Sequence, residues 1–497
     1  MKKIIPIVVF LFAQFTISTA QEVEVESAIR NSQNIYEGSA RFMSMGGAFT
    51  ALGADLSSIS LNPAGVGVYT GFQMEFTPSF QYQQTNTRTR SYQGEVFKNE
   101  EFGYNLNFNN VGLTGAYTLN SPGWKNINFG LGYNTLNNHD QGIRTENFNR
   151  VNSKMHEFVD NANRGNIRGA YEDLAWQTYL LSYDSTYAEY WSYVSDEMNY
   201  SDTAASVQEI GVDQQKNLSN DGSLGEYFLS VGANYENSLY LGMSVGIQRS
   251  NYSYKSTYSE AERNDQVPDF RGMNFIQYEE HSGTGYNFKL GAIYRPTDFI
   301  RVGAAFHSPT YFNNLTYTWY NSVRARYDNG DDLQASSEQS DFSYKLITPS
   351  KILGGVAVRI QEMGLISADY ERVNYGRARL EEKEGDIPFD YENDSISNTF
   401  GAANNLRLGG ELRLSSFYVR LGYAFYQSPY QDEYSNYQSD RQQYSGGLGF
   451  RGNSFFIDAA YVTSSYTREN QLFTTLPNLS EIDFTNNKFI VSLGFRF

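Results

Sequence analysis

The residues of this chain that most suggest acid–base or nucleophilic work are its four histidines, His139, His156, His281 and His307, the last followed by Ser308. A general base must reach the proton it takes. Neighbours on a strand point to opposite faces, and His307-Ser308 closes the strand-like run 298–307, so imidazole and hydroxyl diverge. The Gly-Gly-Leu-Gly at 446–449 lacks the Lys and Ser/Thr of a phosphate loop and reads as a strand face without bulk. With no cysteine there is neither thiolate chemistry nor a disulfide. These residues call for no enzyme, no metal and no cofactor. What remains is charge at inward positions of alternating runs: Lys289, Arg359, Arg407, Glu411, Arg413 and Arg420, with Asp369 and Asp458. As lumen anchors they would hold a carboxylate, which Arg takes bidentately, or pair with one another and with a plug through Arg41 or Asp55.

The runs that carry those charges have period two. In KFIVSLGFRF, Phe489, Val491, Leu493, Phe495 and Phe497 share one face, while Ser492, Gly494 and Arg496 share the other. FYVRLGYAFYQ sets Phe417, Val419, Leu421, Tyr423 and Phe425 against Arg420, Gly422 and Ala424, and NNLRLGGELRL sets Leu406, Leu408, Leu412 and Leu414 against Arg407, Glu411 and Arg413. An apolar face opposite a polar or tiny one suits a barrel with lipid outside and water within, or a soluble sandwich. Connection lengths separate the two. Fourteen runs (71–85, 103–119, 125–137, 225–236, 238–253, 283–295, 298–307, 350–361, 363–374, 404–414, 417–427, 442–451, 454–464 and 487–497) are joined by links that alternate short and long, such as Ser415-Ser416 against 375–403. Short turns at one end and long loops at the other mark an outer-membrane barrel. The expected fold class is therefore all-β: a membrane-spanning, fourteen-stranded antiparallel β-barrel.

Composition agrees. Aromatics make up 16% of the chain, carried by 40 Tyr and 34 Phe, and both types favour pleated surfaces. Lys2 and Lys3 precede an apolar run from Ile4 to Phe15, and Ser18-Thr19-Ala20 offers a cleavage site, so residues 1–20 read as a signal peptide. That segment holds two Lys and no acid, so the formal charge of −17 becomes −19 without it. Such acidity repels phosphate and argues against nucleic acid as a partner. No later run of 18 apolar residues exists, which excludes a helical membrane protein.

An even strand count puts both barrel ends on the periplasmic side. The small-residue segment 21–70 must then hang below or fold into the lumen, because unpaired backbone cannot sit in lipid. We read it as a hatch, with Arg41, Gly46, Gly47, Asp55, Asn62, Pro63, Ala64 and Gly65 as its characteristic residues. Glycines allow tight turns, Asn62 before Pro63 is biased to extended geometry, and Pro63 removes a donor that burial would have to satisfy. The barrel proper is 71–497. Its longest connection, 138–224, carries Met155, Phe158 and Val159, then Leu174, Trp176, Tyr179 and Leu180, at near-helical spacing.

The segment SARFMSMGGAFTALGADLSSISLNPAGVG, with RVGAAFHSPTYF at 301–312, the pair LRLGGELRL and FYVRLGYAFYQSP, and the closing VSLGFRF, resembles the FadL/TodX-type outer-membrane transporters over nearly the whole mature chain. That resemblance implies a fourteen-stranded barrel blocked by an N-terminal hatch, and passive uptake of hydrophobic compounds such as long-chain fatty acids. It also implies lateral exit through a gap beside a kinked third strand; here that strand reads NINFGLGYNTLNN, with Gly130 and Gly132 as the candidate kink. The largest loop follows the third strand, unlike the ligand-covering loops of better-studied members, so no pocket residue carries over.

The expected partners are a hydrophobic small molecule (fatty acid or hydrocarbon), outer-membrane lipid, and the barrel insertion machinery that reads a terminal Phe; the barrel is expected to act as a monomer. The alternative is a surface-protein docking or secretion-accessory barrel. A continuous apolar path from loops to lumen separates the two. An open aqueous porin fits poorly with a 50-residue N-terminal segment.

Overall fold

The computed structural model describes residues 20–91, 94–150, 152–192, 194, 211–263, 267, 269–383, 388–432, 438–473 and 479–497. The expected signal peptide lies outside them except for Ala20, where the first helix begins.

Fourteen strands close into one antiparallel barrel. They are β1 (Gln73–Arg90), β2 (Val96–Thr118), β3 (Trp124–Asn138), β4 (Val212–Tyr235), β5 (Leu239–Glu262), β6 (Phe270–Tyr294), β7 (Ile300–His307), β8 (Lys351–Ile360), β9 (Gly364–Asn374), β10 (Ala402–Leu414), β11 (Phe417–Tyr426), β12 (Arg441–Arg451), β13 (Phe455–Asn470) and β14 (Ser480–Arg496). β14 returns to β1, with Phe489 opposite Phe80. Every run expected from alternation is a wall strand.

Alternation selects the faces. On β5, Leu241, Met243, Val245 and Ile247 are exposed on the outside, while Tyr240, Ser244 and Gln248 are buried within. The outer apolar band ends in tyrosines, Tyr227 and Tyr235 on β4 and Tyr286 and Tyr294 on β6, as an interfacial girdle requires. Beyond that band β4 to β6 continue with polar residues on their outer face, Arg249, Asn251 and Lys255 among them. These upper stretches lack an apolar outer face and keep their apolar residues, Tyr258, Phe270 and Phe275 among them, on the inside, so the lipid-facing alternation that marks the spans ends below them. The wall therefore rises well above the band, and Gln141–Asn149, Tyr311–Tyr327 and Ser340–Ile347 extend it through the expected loops 138–224 and 308–349.

The turns at the other end are tight. Ser415, at φ 60°, and Ser416 join Leu414 to Phe417, which pair directly.

A cap covers the long-loop end. Helices Lys154–Asn163 and Glu172–Gln177 take up Met155, Phe158, Val159, Leu174 and Trp176 of the near-helical pattern in the 138–224 segment, while Tyr179, at φ 58°, and Leu180 lie beyond the second helix. Met155, Phe158 and Leu174 pack onto Tyr258, Phe270, Phe275 and Val323 of the raised wall. Buried Glu260 on β5 takes the Lys154 N–H at 2.8 Å and Gln214 Nε2 at 3.0 Å, fixing the cap helix to the barrel.

The lumen is filled by the N-terminal segment: α1 (Ala20–Ser32), α2 (Ala40–Ser44) and 3₁₀ turns at Ser57–Ser60 and Pro63–Val68.

Candidate functional site: the plug and the seam it covers

Local chemistry shapes the plug. Ser39 Oγ accepts the Phe42 N–H and starts α2, as N-cap hydroxyls do. Asp55 accepts from Ser39 Oγ at 2.8 Å and from the Ser57 N–H at 3.0 Å. Asn62, extended at φ −137° before Pro63, accepts the Ala64 N–H at 3.0 Å and opens the second 3₁₀ turn. Gly46 and Gly47 sit at φ 62° and 74°, where L side chains are strained.

The wall meets the plug backbone to backbone. A Cβ added to Gly422 would lie 2.1 Å from Gly46 N; one on Gly303 would lie 2.1 Å from Thr50 O. The tiny inward residues of the strands are therefore the plug's contact surface.

Polar contacts pin the two together. Arg41 reaches Glu411 at 3.1 Å, and Glu411 also pairs with Arg420 at 2.6 Å. Fully buried Arg420 continues to Asp458 at 2.7 Å, which Arg451 meets at 2.6 Å. Thr50 N–H donates to Asp369 at 2.7 Å, Arg301 to Leu52 O at 2.8 Å, and Lys351 to Ser32 O at 2.8 Å. Lys289 pairs with buried Glu226 and donates to Ser60 O at 3.1 Å. Arg407 pairs with Glu371 at 2.6 Å.

One junction of the wall is incomplete. Between β2 and β3 the ladder covers only Asn110–Thr118 against Asn126–Asn134. A register shift at Thr77/Pro78 leaves Asn109 as an extra residue in β2, a bulge that turns both Asn109 and Asn110 inward. Above it, Val96–Asn109 has no ladder partner on the β3 side among the described residues, and Thr135 Oγ1 bridges to Phe108 O at 2.9 Å.

The plug takes over where the ladder stops. The Glu37 N–H donates to Thr135 O at 3.0 Å, supplying the donor β2 no longer offers. Four asparagines donate into the plug from the two sides of the seam: Asn109 to Gly38 O at 3.2 Å, Asn110 to Ser57 Oγ at 3.1 Å, Asn134 to Ser60 Oγ at 2.7 Å and Asn137 to Gln33 O at 3.2 Å. The Glu37 carboxylate is held by Lys488 of β14.

No protein-family model and no curated protein matches the sequence. Solved structures match. A FadL homologue from Pseudomonas aeruginosa aligns with a TM-score of 0.54 at 14% identity, covering 93% of this chain and 99% of that one. The fold is that of the FadL-type barrels. The Pseudomonas putida toluene transporter TodX aligns with a TM-score of 0.52 at 12% identity, covering 94% of this chain and all of that one.

In this FadL-type barrel the expected hatch residues Arg41, Gly46, Gly47, Asp55, Asn62, Pro63, Ala64 and Gly65 all lie in the luminal plug. Lys289, Arg407, Glu411 and Arg420 lie in the lumen, each in an ion pair. Arg359 and Arg413 do not. Their side chains are half exposed at the short-turn rim, both near Glu362, because strand parity continues past the level at which the lumen ends. Gly130 and Gly132 do not open the wall: the ladder runs regularly through Gly130–Thr114 and Gly132–Gly112. Gly130 instead makes room for Ile59 and Val66 of the plug. The irregularities flank them, at Asn109 and between Thr135 and Asn137 above, and between Trp124 and Asn126 below.

His307 and Ser308 diverge as expected: Nε2 meets Leu61 O at 2.8 Å, while the hydroxyl accepts the Phe288 N–H and donates to Pro309 O. The four seam asparagines escaped sequence reasoning. Their signal was present in FNN at 108–110 and NTLNN at 134–138, since Asn is depleted in strands.

Proposed function

We propose that this protein admits small hydrophobic molecules passively across an outer membrane, with the N-terminal segment as a movable hatch and the β2–β3 seam as the lateral exit. The observation that carries this reading is the seating of Glu37 and Gly38 on the unladdered edge. An inert plug has no need to complete the wall; a hatch that completes it opens a route to lipid when it moves.

The energetics fit a gate. A hydrogen bond contributes about 0.5–1.5 kcal/mol net, so the Glu37 bond and the asparagine contacts amount to a few kcal/mol. A cargo that binds the open form more tightly by that much shifts the equilibrium. Outside, the seam adjoins an apolar hollow of about 620 Å³ lined by Met74, Phe76, Val111, Leu113, Leu131 and Phe495, onto which a hydrocarbon would step. The similar structures, a FadL homologue and a toluene transporter, support the same class of cargo. Long-chain fatty acids are the first members of that class to try.

The test is equilibrium retention of radiolabelled palmitate and toluene by the purified protein, beside a variant lacking residues 21–62. Saturable binding that the deletion alters is expected. Failure of the intact protein to retain either ligand would overturn the uptake reading.

A further inference from the structure

On the side of the barrel away from the β2–β3 seam, β10 and β11 part above the apolar band. Their ladder ends at Leu406 opposite Phe425, and the two chains meet again at the Phe400–Tyr430 bridge. There the Gly401 N–H donates to Pro429 O at 2.8 Å and the Gln431 N–H to Thr399 O at 2.9 Å. Between those points side-chain amides stand in for the ladder. Gln427 Oε1 accepts from both the backbone N–H and Nδ2 of Asn404 at 2.9 Å, and Asn405 Oδ1 accepts the Gln427 N–H at 3.2 Å.

The parting leaves an open, mainly polar groove of about 710 Å³, lined by Asn374, Ser397, Gln427, Gln431 and Asp432 among others. Tyr430, its ring 5.2 Å from that of buried Phe400, supplies an apolar wall. Nδ2 of Asn374 and Nε2 of Gln427 donate to nothing among the described residues.

The groove opens outward, not into the lumen. Asn374, Ala402 and Gln427, which line it, continue the outward parity of Tyr370 on β9, Leu406 on β10 and Phe425 on β11. Just below it stand Tyr370, Tyr423 and Tyr444, and beneath them the exposed Leu408 and Leu421. Tyrosines mark the level of the lipid headgroups. At that same level the Tyr370 hydroxyl and Arg372 Nη1 both donate to Asn404 Oδ1, at 2.6 and 3.1 Å. Arg372 is exposed, as is Arg377 next to groove-lining Gly376, and neither forms an ion pair among the described residues.

We propose that this groove seats the phosphorylated sugar headgroup of an outer-leaflet glycolipid, whose acyl chains lie on the apolar band beneath. Amides carry donors and an acceptor in one plane and suit neighbouring sugar hydroxyls, which the Asp432 carboxylate also accepts. Arg372 and Arg377 supply forks for phosphate at the headgroup level. A free saccharide shares the hydroxyl chemistry, but the continuity of the groove with the lipid-facing leucines favours a lipid. The site needs only a barrel in an outer membrane and not the uptake reading.

The test is native mass spectrometry of the full-length protein, titrated in detergent with lipid A (a phosphorylated, acylated diglucosamine), with its deacylated headgroup and with phosphatidylglycerol. The variants are Ala402→Trp, which fills the groove, R372Q/R377Q, and Arg359→Gln, which removes a cation from the opposite rim. Heat-dependent gel mobility verifies that each barrel is folded. Lipid A is expected to bind the native protein about tenfold or more tighter than phosphatidylglycerol, the scale of one or two hydrogen bonds to charged groups. Ala402→Trp should abolish that advantage without weakening phosphatidylglycerol. R372Q/R377Q should weaken lipid A about tenfold, and Arg359→Gln should leave it unchanged. Equal affinity of the native protein for the two lipids, or lipid A binding that neither Ala402→Trp nor R372Q/R377Q reduces, would overturn the site. A deacylated headgroup that binds as tightly as lipid A would overturn the membrane source and leave a saccharide site in its place.

Discussion

The backbone N–H of Glu37, in the plug, donates to the carbonyl of Thr135, on β3, at 3.0 Å. It sits where the β2–β3 ladder has just ended at Asn110 and Asn134. A strand edge left open in a membrane is costly, and here the plug satisfies part of it. Plug and wall are thus one hydrogen-bonded unit at this seam.

Lys488 holds the carboxylate of the same residue, with both side chains largely buried. Replacing Lys488 with Met leaves Glu37 as an uncompensated buried charge, which costs about 3–5 kcal/mol. Faster amide hydrogen exchange is expected over 33–40 and 134–138, with the far wall unchanged. Uniform exchange in the variant and the native protein would show that the pair does not hold the hatch.

The wall glycines give a steric prediction. Gly422→Ala places a methyl 2.1 Å from Gly46 N, whereas Gly354→Ala meets nothing within 4 Å. Overpacking against backbone costs about 1–3 kcal/mol. Gly422→Ala should lower the midpoint of heat-dependent gel mobility and expose the plug to protease, and Gly354→Ala should do neither.

Arg420 bridges Glu411 and Asp458 with no exposed surface of its own. Asp458→Asn removes an acid that two arginines share, and a loss of about 3–5 kcal/mol is expected. Arg359→Gln, which breaks an exposed pair with Glu362 and an exposed hydrogen bond to Gln361 O, should stay within about 0.5 kcal/mol. Denaturant midpoints of the two variants, measured together, test the contrast.

Glu279, inward on the raised part of β6, gives a pH dependence. Burial pushes its carboxyl up to about 7, against the pull of Arg30 and Lys216. The folded state thus holds this proton more tightly than the unfolded chain does. The associated stability is complete below the unfolded value near 4.5 and is lost as pH rises through 7, by up to about 3 kcal/mol. Glu279→Gln should therefore gain on the native protein in heat-dependent gel mobility between pH 5 and pH 8. A difference constant with pH would contradict the assignment.

Particular residues show what the sequence can and cannot disclose. Leu241 to Ile247 and Phe489 to Phe495 betray their strands because lipid demands an apolar outer face at every second residue. Beyond Ser253, where the expected run ends, the same strand continues to Glu262 above the band, where water wets the outside and the outward Lys255, Thr257 and Ser259 carry no apolar pattern. The luminal plug was legible from its glycines and Asn62-Pro63-Ala64. Its seam was not: Asn109, Asn110, Asn134 and Asn137 fall within the expected strands 103–119 and 125–137, and alternation does not show that the ladder between them stops at Asn110 and Asn134. Arg359 and Arg413 follow inward parity to the last residues of their strands, and parity does not say where the lumen stops.

The most direct test of the account tethers the hatch. In this cysteine-free chain, Glu37→Cys with Lys488→Cys places two thiols on side chains that touch in the native protein. The double variant, reconstituted into liposomes and joined by a reducible bis-thiol linker, is assayed for entry of radiolabelled palmitate. The account predicts uptake that falls to the level of empty liposomes when the tether is closed and returns on reduction. Uptake by the tethered protein equal to that of the reduced protein would contradict a moving hatch at the β2–β3 seam.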